Sequence, residues 1–186
     1  TAVIVVFSTG FLNSAHAAQT QSDVLAAELR IVRADLIRLD EGGVDAPLHV
    51  QGLKMRIVGG LGVLPWLLGQ SGDDAAASRL RGWNMQTLDG RAERARLVRQ
   101  LDTLIMRHPL DRSRYPVDRV TSAQKREARA IHETYCAGCH DDAGQGDVDM
   151  LLPARDLYVM SRESAPEDFL ARLINGVKGD ETLLFS

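Results

Sequence analysis

The sequence Cys136-Ala137-Gly138-Cys139-His140 sets the expected fold and chemistry of the C-terminal third of the chain. Two thiols three positions apart can each form a thioether bond to a vinyl-derived carbon at one edge of a porphyrin. The histidine directly after the second thiol can then bind the iron as its proximal ligand. The motif therefore predicts one covalently bound haem c, held by Cys136, Cys139 and His140.

Two other roles of paired cysteines compete with haem attachment. A redox-active Cys-x-x-Cys dithiol normally begins a helix within a βαβ unit, and no such pattern surrounds Cys136. A zinc site needs a second pair of ligands at matching spacing, and the chain has only two cysteines. Both alternatives stay open, although haem attachment is the favoured interpretation. Because haem uses both thiols, no structural disulfide is expected.

The composition is that of a folded protein without a nucleic-acid partner. The chain has 186 residues, 45% of them hydrophobic, and a net charge of −3. This length allows one large domain or two small ones, and the apolar fraction is enough to bury a core. No run rich in lysine and arginine occurs, so nucleic-acid binding is not expected.

Residues 1–18 have the pattern of a secretory signal peptide. An apolar stretch from Ala2 to Leu12 is followed by an A-x-A ending, which predicts cleavage after Ala17 or Ala18. The basic residues that normally come first would precede this sequence. The stretch is too short to span a bilayer, and a buried strand or an uncleaved anchor is the alternative. Because haem is attached to such motifs on the exported side of the membrane, a periplasmic location is expected.

Residues 19–112 are expected to form a helical module that carries no chemical motif. Apolar residues recur at helical spacing from Val24 to Leu39, which predicts a helix capped by Ser22 and ended by Gly42-Gly43. The side chains expected on its solvent face are Glu28, Arg30, Arg33, Asp35 and Arg38.

The apolar stretch from Leu53 to Leu68 is interrupted by glycines and a proline. These interruptions predict a buried or irregular pair of helices rather than one regular helix. The alternative is an exposed patch that docks on a membrane surface or on a partner, since a large exposed apolar area needs a partner. No spanning helix is expected.

Two further helices are predicted before the haem motif. The first covers residues 90–107, and His108-Pro109 ends it because the residue before proline avoids the helical region. Residues 113–120 are predicted to be a linker, and Thr121 or Ser122 then caps the helix that leads into the motif. The side chains expected to pack on the haem edge and on the last helix are Ala128, Ile131, His132 and Tyr135.

Several features of the last third of the chain follow one another in a familiar order. A helix enters the motif, a glycine-rich turn follows at 142–146, a proline-containing segment occupies 152–157, and Pro166 begins a last helix. On these features residues 121–186 resemble a class I cytochrome c domain. The resemblance implies short helices around the haem, so the whole chain is expected to be all-α. In that family a proline carbonyl accepts the proton of the proximal histidine's outer nitrogen, a role that the resemblance gives to Pro153.

The sequence departs from this family at the sixth iron ligand. Thr182 stands where the family has a methionine, and a threonine hydroxyl is a poor ligand for ferrous haem. The domain is therefore expected to be truncated, with a ligand beyond Ser186 as one alternative. Met160 is the preferred candidate within the chain, and Met150 is the second. A vacant sixth position also stays open.

The favoured function is periplasmic electron transfer by one haem that cycles between ferric and ferrous iron. This makes the protein an electron carrier or an electron-transfer subunit rather than an enzyme, with redox proteins as partners over a small, transient interface. One alternative is a haem enzyme or gas-binding protein with an open sixth position. Another is a haem subunit whose helical module docks on a larger dehydrogenase or respiratory complex.

Overall fold

The structure, a computed structural model, describes residues 10–41, 47–84, 86–115, 119–141 and 155–176. All regular structure in these ranges is helical, which confirms the predicted all-α class. The α-helices are α1 Gly10–Asp40, α2 Pro47–Gln70, α3 Asp74–Leu80, α4 Arg91–Arg107, α5 Ser122–Ile131, α6 Ala137–His140, α7 Leu157–Glu163 and α8 Pro166–Asn175. Single turns of other helical types lie at Gln86–Leu88, Arg112–Arg114 and His132–Cys136.

Helix α1 is the centre of the fold, because α2, α4 and α8 all pack against it. Its predicted apolar stripe is buried in the main core, as shown by Leu25, Leu29 and Leu36. The predicted start is wrong, since α1 begins at Gly10 and Ser22 lies within it. The backbone N–H groups that a cap at Ser22 would satisfy are already hydrogen-bonded to carbonyls of the preceding helical turn. The signal peptide stays a prediction, although α1 runs through the proposed cleavage point.

Helix α2 is one continuous helix, so the predicted irregular pair is wrong. Its glycines do not break the helix, and one of them, Gly60, serves the packing of α2 against α1. A Cβ atom added to Gly60 would lie 2.4 Å from Val32 Cγ2 and 2.9 Å from Glu28 Oε1. The glycine therefore allows α2 to approach α1 closely, and the buried side chains around it compensate for its low helix propensity.

A shallow groove lies beside the exposed end of α2. Leu61, Pro65 and Trp66 line one side of it, and Leu80 and Trp83 line the other. More than half of the Trp66 surface is exposed to solvent. The docking patch considered for this stretch stays a prediction. Among the described residues, no helix has both the length and the apolar character needed to cross a membrane.

Helices α3 and α4 complete the main core. Asp73 caps α3 by accepting a hydrogen bond of 3.1 Å from the Ala76 N–H. Helix α3 ends at Leu80. Helix α4 occupies its predicted position and ends before His108. Its apolar side is buried, through Leu97, Leu101 and Leu104.

The charged face of α1 does not face solvent, contrary to the prediction. Asp35 is 0% exposed and accepts hydrogen bonds of 2.6 Å from both Nε and Nη2 of Arg56. Arg172 Nη2 donates a further bond of 2.7 Å to the same carboxylate. Asp23 is also buried, where it pairs with Arg114 and accepts from the Tyr115 hydroxyl. The spacing suggested that this face is exposed to solvent. Residues from other parts of the chain pair with it, so it forms a second interface instead.

Helix α8 covers this face of α1. Ala171 packs in a small cluster with Ala27 and Ile31, and Asn175 Nδ2 donates bonds of 3.0 Å to the Val24 carbonyl and to Glu28 Oε2. The last described helix of the predicted C-terminal domain therefore packs on the predicted helical module. The boundary between the two stays a prediction.

Replacing Gly60 with alanine is expected to destabilise the fold by about 1–3 kcal/mol, the usual cost of overpacking a core. The reason is the clash of the new methyl group with Val32. Gly59→Ala is the matched control, because Gly59 is exposed on the same helix and a Cβ there meets nothing within 4 Å. The control should stabilise by roughly 0.5–1 kcal/mol. Urea unfolding measures both variants, and equal effects would contradict the close packing of α1 and α2.

Replacing Asp35 with asparagine is expected to cost about 3–5 kcal/mol of stability, because it leaves two largely buried guanidinium groups without their carboxylate. Asp102→Asn is the control. Its carboxylate pairs with Arg33, but the two side chains are 44% and 31% exposed. An exposed pair of this kind contributes only about 0–1 kcal/mol. Thermal unfolding of both variants tests the difference, and a mild effect at Asp35 would refute the buried ion cluster.

Candidate functional site

The Cys136–His140 motif lies at the end of a nearly continuous helical segment from α5 to α6. Thr121 begins this segment with a capping box, which confirms it rather than Ser122 as the cap. Its hydroxyl accepts a bond of 3.2 Å from the Gln124 N–H, and Gln124 Oε1 accepts one of 2.9 Å from the Thr121 N–H. Two otherwise free backbone donors are satisfied, so the start of the helix is well defined.

A π turn over His132–Cys136 joins α5 to α6. In it the Ala137 N–H bonds to the His132 carbonyl, five residues back instead of four. Such a turn adds one residue to the helix and is frequent at functional sites. Here its last residue is Cys136, the first thiol of the motif, three positions before the second. The sequence pattern did not predict it, because its residues also suit an ordinary helix.

The two thiols are accessible. Both cysteines are free, with Cys136 partly exposed and Cys139 exposed. Helical residues three positions apart lie on the same face, with Cβ atoms about 5–6 Å apart. The pair is thus presented on one side of the segment, where the edge of a porphyrin can reach both sulfur atoms.

His140 has the environment of a metal-binding histidine. Its Nδ1 atom lies 2.6 Å from the carbonyl oxygen of Arg155. A carbonyl only accepts hydrogen bonds, so Nδ1 carries the proton and Nε2 keeps its lone pair for a metal. The bond fixes the plane of the ring.

The carbonyl that fills this role belongs to Arg155, two positions after the residue suggested by the resemblance. Pro153 itself lies outside the described residues. Every residue of the segment carries a carbonyl, so the sequence cannot show which one meets the imidazole. The expected type of hydrogen bond is present, but it comes from a different residue.

His132 connects the motif segment to α7. Its ring lies 5.0 Å from that of Tyr158, tilted by 56°. Its Nε2 atom is 3.2 Å from Asp141 Oδ1, in the geometry of an ion pair rather than of a hydrogen bond. Only 15% of the His132 side chain is exposed, so the structure gives this histidine a packing role.

The apolar face predicted on α5 is not buried. Helix α5 and the π turn contain no buried residue, and Ile131 and Tyr135 are 51% and 68% exposed. The expected packing on the last helix is wrong, because α8 packs on α1 and makes no extensive contact with α5. Tyr158 and Val159 on α7 are exposed as well. Apolar side chains on both helices joined by His132 are therefore available to cover a flat apolar group.

The donor set matches what a c-type haem would require of the protein. Within the described ranges, no three histidine, cysteine or acidic side chains converge as metal ligands. A haem iron takes four ligands from the porphyrin, so His140 and the two thiols satisfy what this cofactor requires of the protein. Met160 is 7% exposed on α7, and its role as sixth ligand stays a prediction. Met150 and Thr182 lie outside the described residues.

Comparison with family models, with curated proteins and with solved structures finds no match for this chain. The resemblance to a cytochrome c domain consequently depends on the motif and on the features quoted for residues 121–186.

His132→Ala is expected to loosen α7, because it removes the ring contact with Tyr158 on that helix. His132→Phe is the matched control, since it keeps an aromatic ring at the same place. An aromatic pair contributes about 0.5–1.5 kcal/mol, so the alanine variant should be less stable than the control by that amount. Hydrogen exchange of the α7 amides and thermal unfolding measure this difference. Identical exchange in both variants would show that the ring contact does not hold α7.

Proposed function

We propose that this protein transfers electrons through a single c-type haem attached at Cys136 and Cys139, with His140 as the proximal iron ligand. The observation that carries the proposal is the 2.6 Å bond between His140 Nδ1 and the Arg155 carbonyl. It leaves Nε2 free for iron, next to two accessible thiols. When bound, haem c supplies a one-electron couple between ferric and ferrous iron, whose potential depends on ligands, hydrogen bonds and burial.

The described residues have distinct parts in this function. The thiols hold the porphyrin edge, and their exposure keeps that edge near the protein surface, where a redox partner can approach. The Arg155 carbonyl makes His140 a stronger electron donor, which favours the ferric state. Ile131, Tyr135 and Tyr158 would cover apolar porphyrin surface. An electron received from a reduced partner protein passes to an oxidised one, and the chain itself is left unchanged.

Export to the periplasm belongs to the same proposal. It is supported by the signal-peptide pattern of residues 1–18 and by the location where haem is attached to such motifs. The partners are redox proteins that dock transiently over a small area.

A second candidate function, a haem protein with an open sixth position, is favoured by where α7 lies. Helix α7 follows Arg155, whose carbonyl bonds to Nδ1 of His140, whereas Nε2 would hold a haem iron. A sixth ligand would have to reach that iron from the side away from His140. Met160 is buried on α7, one turn beyond its beginning and in the segment that starts beside Nδ1. This placement favours the alternative in which Met160 is not a ligand of the proposed haem iron.

Expression of the chain with a haem c maturation system is expected to yield a coloured protein whose pigment stays with the polypeptide in acidified acetone. The pyridine spectrum should give one haem c per chain. Replacing both cysteines with serine should make any pigment extractable, whereas His108→Gln, at the far end of α4, should leave attachment unchanged. A colourless wild-type chain would rule out the proposed function.

The ferric spectrum of the same coloured protein separates the two candidates. A low-spin spectrum with a sulfur-to-iron band indicates a carrier with methionine ligation, and loss of that band in Met160→Ala would identify the ligand. A high-spin spectrum together with carbon monoxide binding indicates an open position. The placement of α7 leads us to expect that Met160→Ala leaves the spectrum unchanged.

A further inference from the structure

The carbonyl that meets His140 belongs to the peptide that leads into α7. This peptide consists of the C=O of Arg155 and the N–H of Asp156, and Asp156 is the residue that caps the helix. Oδ1 of the Asp156 carboxylate accepts a hydrogen bond of 2.8 Å from the Val159 N–H. The backbone carbonyl of Asp156 accepts a bond of 2.9 Å from the Met160 N–H. The residue that follows Arg155 is thus tied to α7 through both its side chain and its backbone.

These two bonds limit where the Arg155 carbonyl can point. Rotation about the N–Cα bond of Asp156 turns the plane of the preceding peptide relative to α7, and the carbonyl lies in that plane. Asp156 has φ −54° and ψ 123°, a conformation outside the helical range, as an N-cap requires. Because its side chain is bonded to the helix, Asp156 is held in this conformation, and the direction of the Arg155 carbonyl is held with it.

The capped turn of α7 is also the part of the helix that meets the motif segment. The Arg155 carbonyl oxygen lies 2.6 Å from His140 Nδ1, and the ring of Tyr158 lies 5.0 Å from that of His132. Asp156 stands between these two contacts in the sequence. A change at this position would therefore reach the imidazole of His140 through a single peptide.

The ion pair of Arg155 with Glu163 is the other interaction that could hold this carbonyl. Arg155 Nη2 lies 3.0 Å from Glu163 Oε2, but the two side chains are 37% and 61% exposed. An exposed pair of this kind contributes little, and a long arginine side chain can move without turning its own backbone. The short side chain of Asp156, bonded to a backbone donor, constrains the peptide more tightly.

We propose that Asp156 is a positioning residue for His140. By capping α7 it directs the Arg155 carbonyl at Nδ1 of the imidazole, which keeps the proton on that atom and leaves Nε2 unprotonated. The imidazole then has the tautomer and the ring plane of a metal ligand before any metal is present. The benefit to iron binding rests on the proposed function, whereas the effect on the imidazole does not.

The first test uses the full chain without haem, with its thiols reduced, at a pH of about 8, where imidazole is neutral. Nitrogen NMR shows which ring nitrogen of His140 carries the proton, and we expect Nδ1 in the parent. Asp156→Ala should lose this preference, and its α7 amides should exchange about fivefold faster, the usual consequence of losing a cap. Asp156→Asn should keep the parental signal, because asparagine caps a helix as well as aspartate does.

Two control variants separate positioning from a general loosening of α7. Ser161→Gly weakens the helix at an exposed position, since glycine is unfavourable there, but it leaves the cap in place. Glu163→Gln removes the ion pair with Arg155. Both should keep the proton on Nδ1. The proposal is overturned if Asp156→Ala keeps the parental tautomer, if Asp156→Asn behaves as the alanine variant does, or if either control shifts the tautomer as much.

The matured, coloured protein gives a second readout, the midpoint potential. Without the bond to Nδ1 the imidazole is a weaker electron donor, which disfavours the ferric state. Asp156→Ala should therefore have a higher potential than Asp156→Asn, which removes the same charge but keeps the cap. Equal potentials would overturn the role of Asp156 toward the iron. If the chain stays colourless, the electron-transfer function fails, but the measurement without haem still decides whether Asp156 positions His140.

Discussion

The structure depends on one carboxylate that has no access to water. Removing a charge from water costs several kcal/mol, and a buried ion compensates for this only when its hydrogen bonds are complete. Asp35 receives three such bonds from Arg56 and Arg172, so α2 and α8 must both lie where these arginines reach α1. Helix α7 precedes α8, and Arg155 lies two residues before α7 begins. The ion cluster on α1 thus fixes α8, the helix that ends the segment beginning with the carbonyl that meets His140.

The motif segment itself is held much more weakly than this scaffold. It buries no side chain, and its described links to the rest of the chain are the His140–Arg155 bond and the contacts of His132. A bound porphyrin would bury apolar surface at roughly 25 cal/mol per Å² and would supply the core that this segment lacks. Attachment of haem would then stabilise the folded state as any ligand of the native protein does. The exposed Ile131 and Tyr135 are consistent with a surface that is completed in this way.

How much of this could be predicted depends on the distance along the chain between interacting residues. The apolar stripe of α1, the ends of α4 and the Thr121 cap were predicted correctly, because each depends on residues at most four positions apart. The continuity of α2 was not predicted, since it depends on how Gly60 fits against Val32 of another helix. The charged face of α1 was misjudged for the same reason. Asp35 and Arg172 are 137 positions apart, and no local pattern shows that they meet.

The candidate site divides in the same way. The spacing of two thiols and an imidazole is local, so the chemistry of the motif can be predicted from the sequence. The sequence does not show which carbonyl bonds to the imidazole, and it does not show from which side α7 approaches the ring. The side of approach matters most for function. If haem binds as proposed, the bond between the outer nitrogen of His140 and Arg155 leaves the iron to Nε2, on the other side of the imidazole ring. Helix α7 follows Arg155 and so begins on the Nδ1 side of that ring. Whether the proposed haem would carry electrons or bind a small ligand would then depend on the group that reaches the iron from the side away from His140.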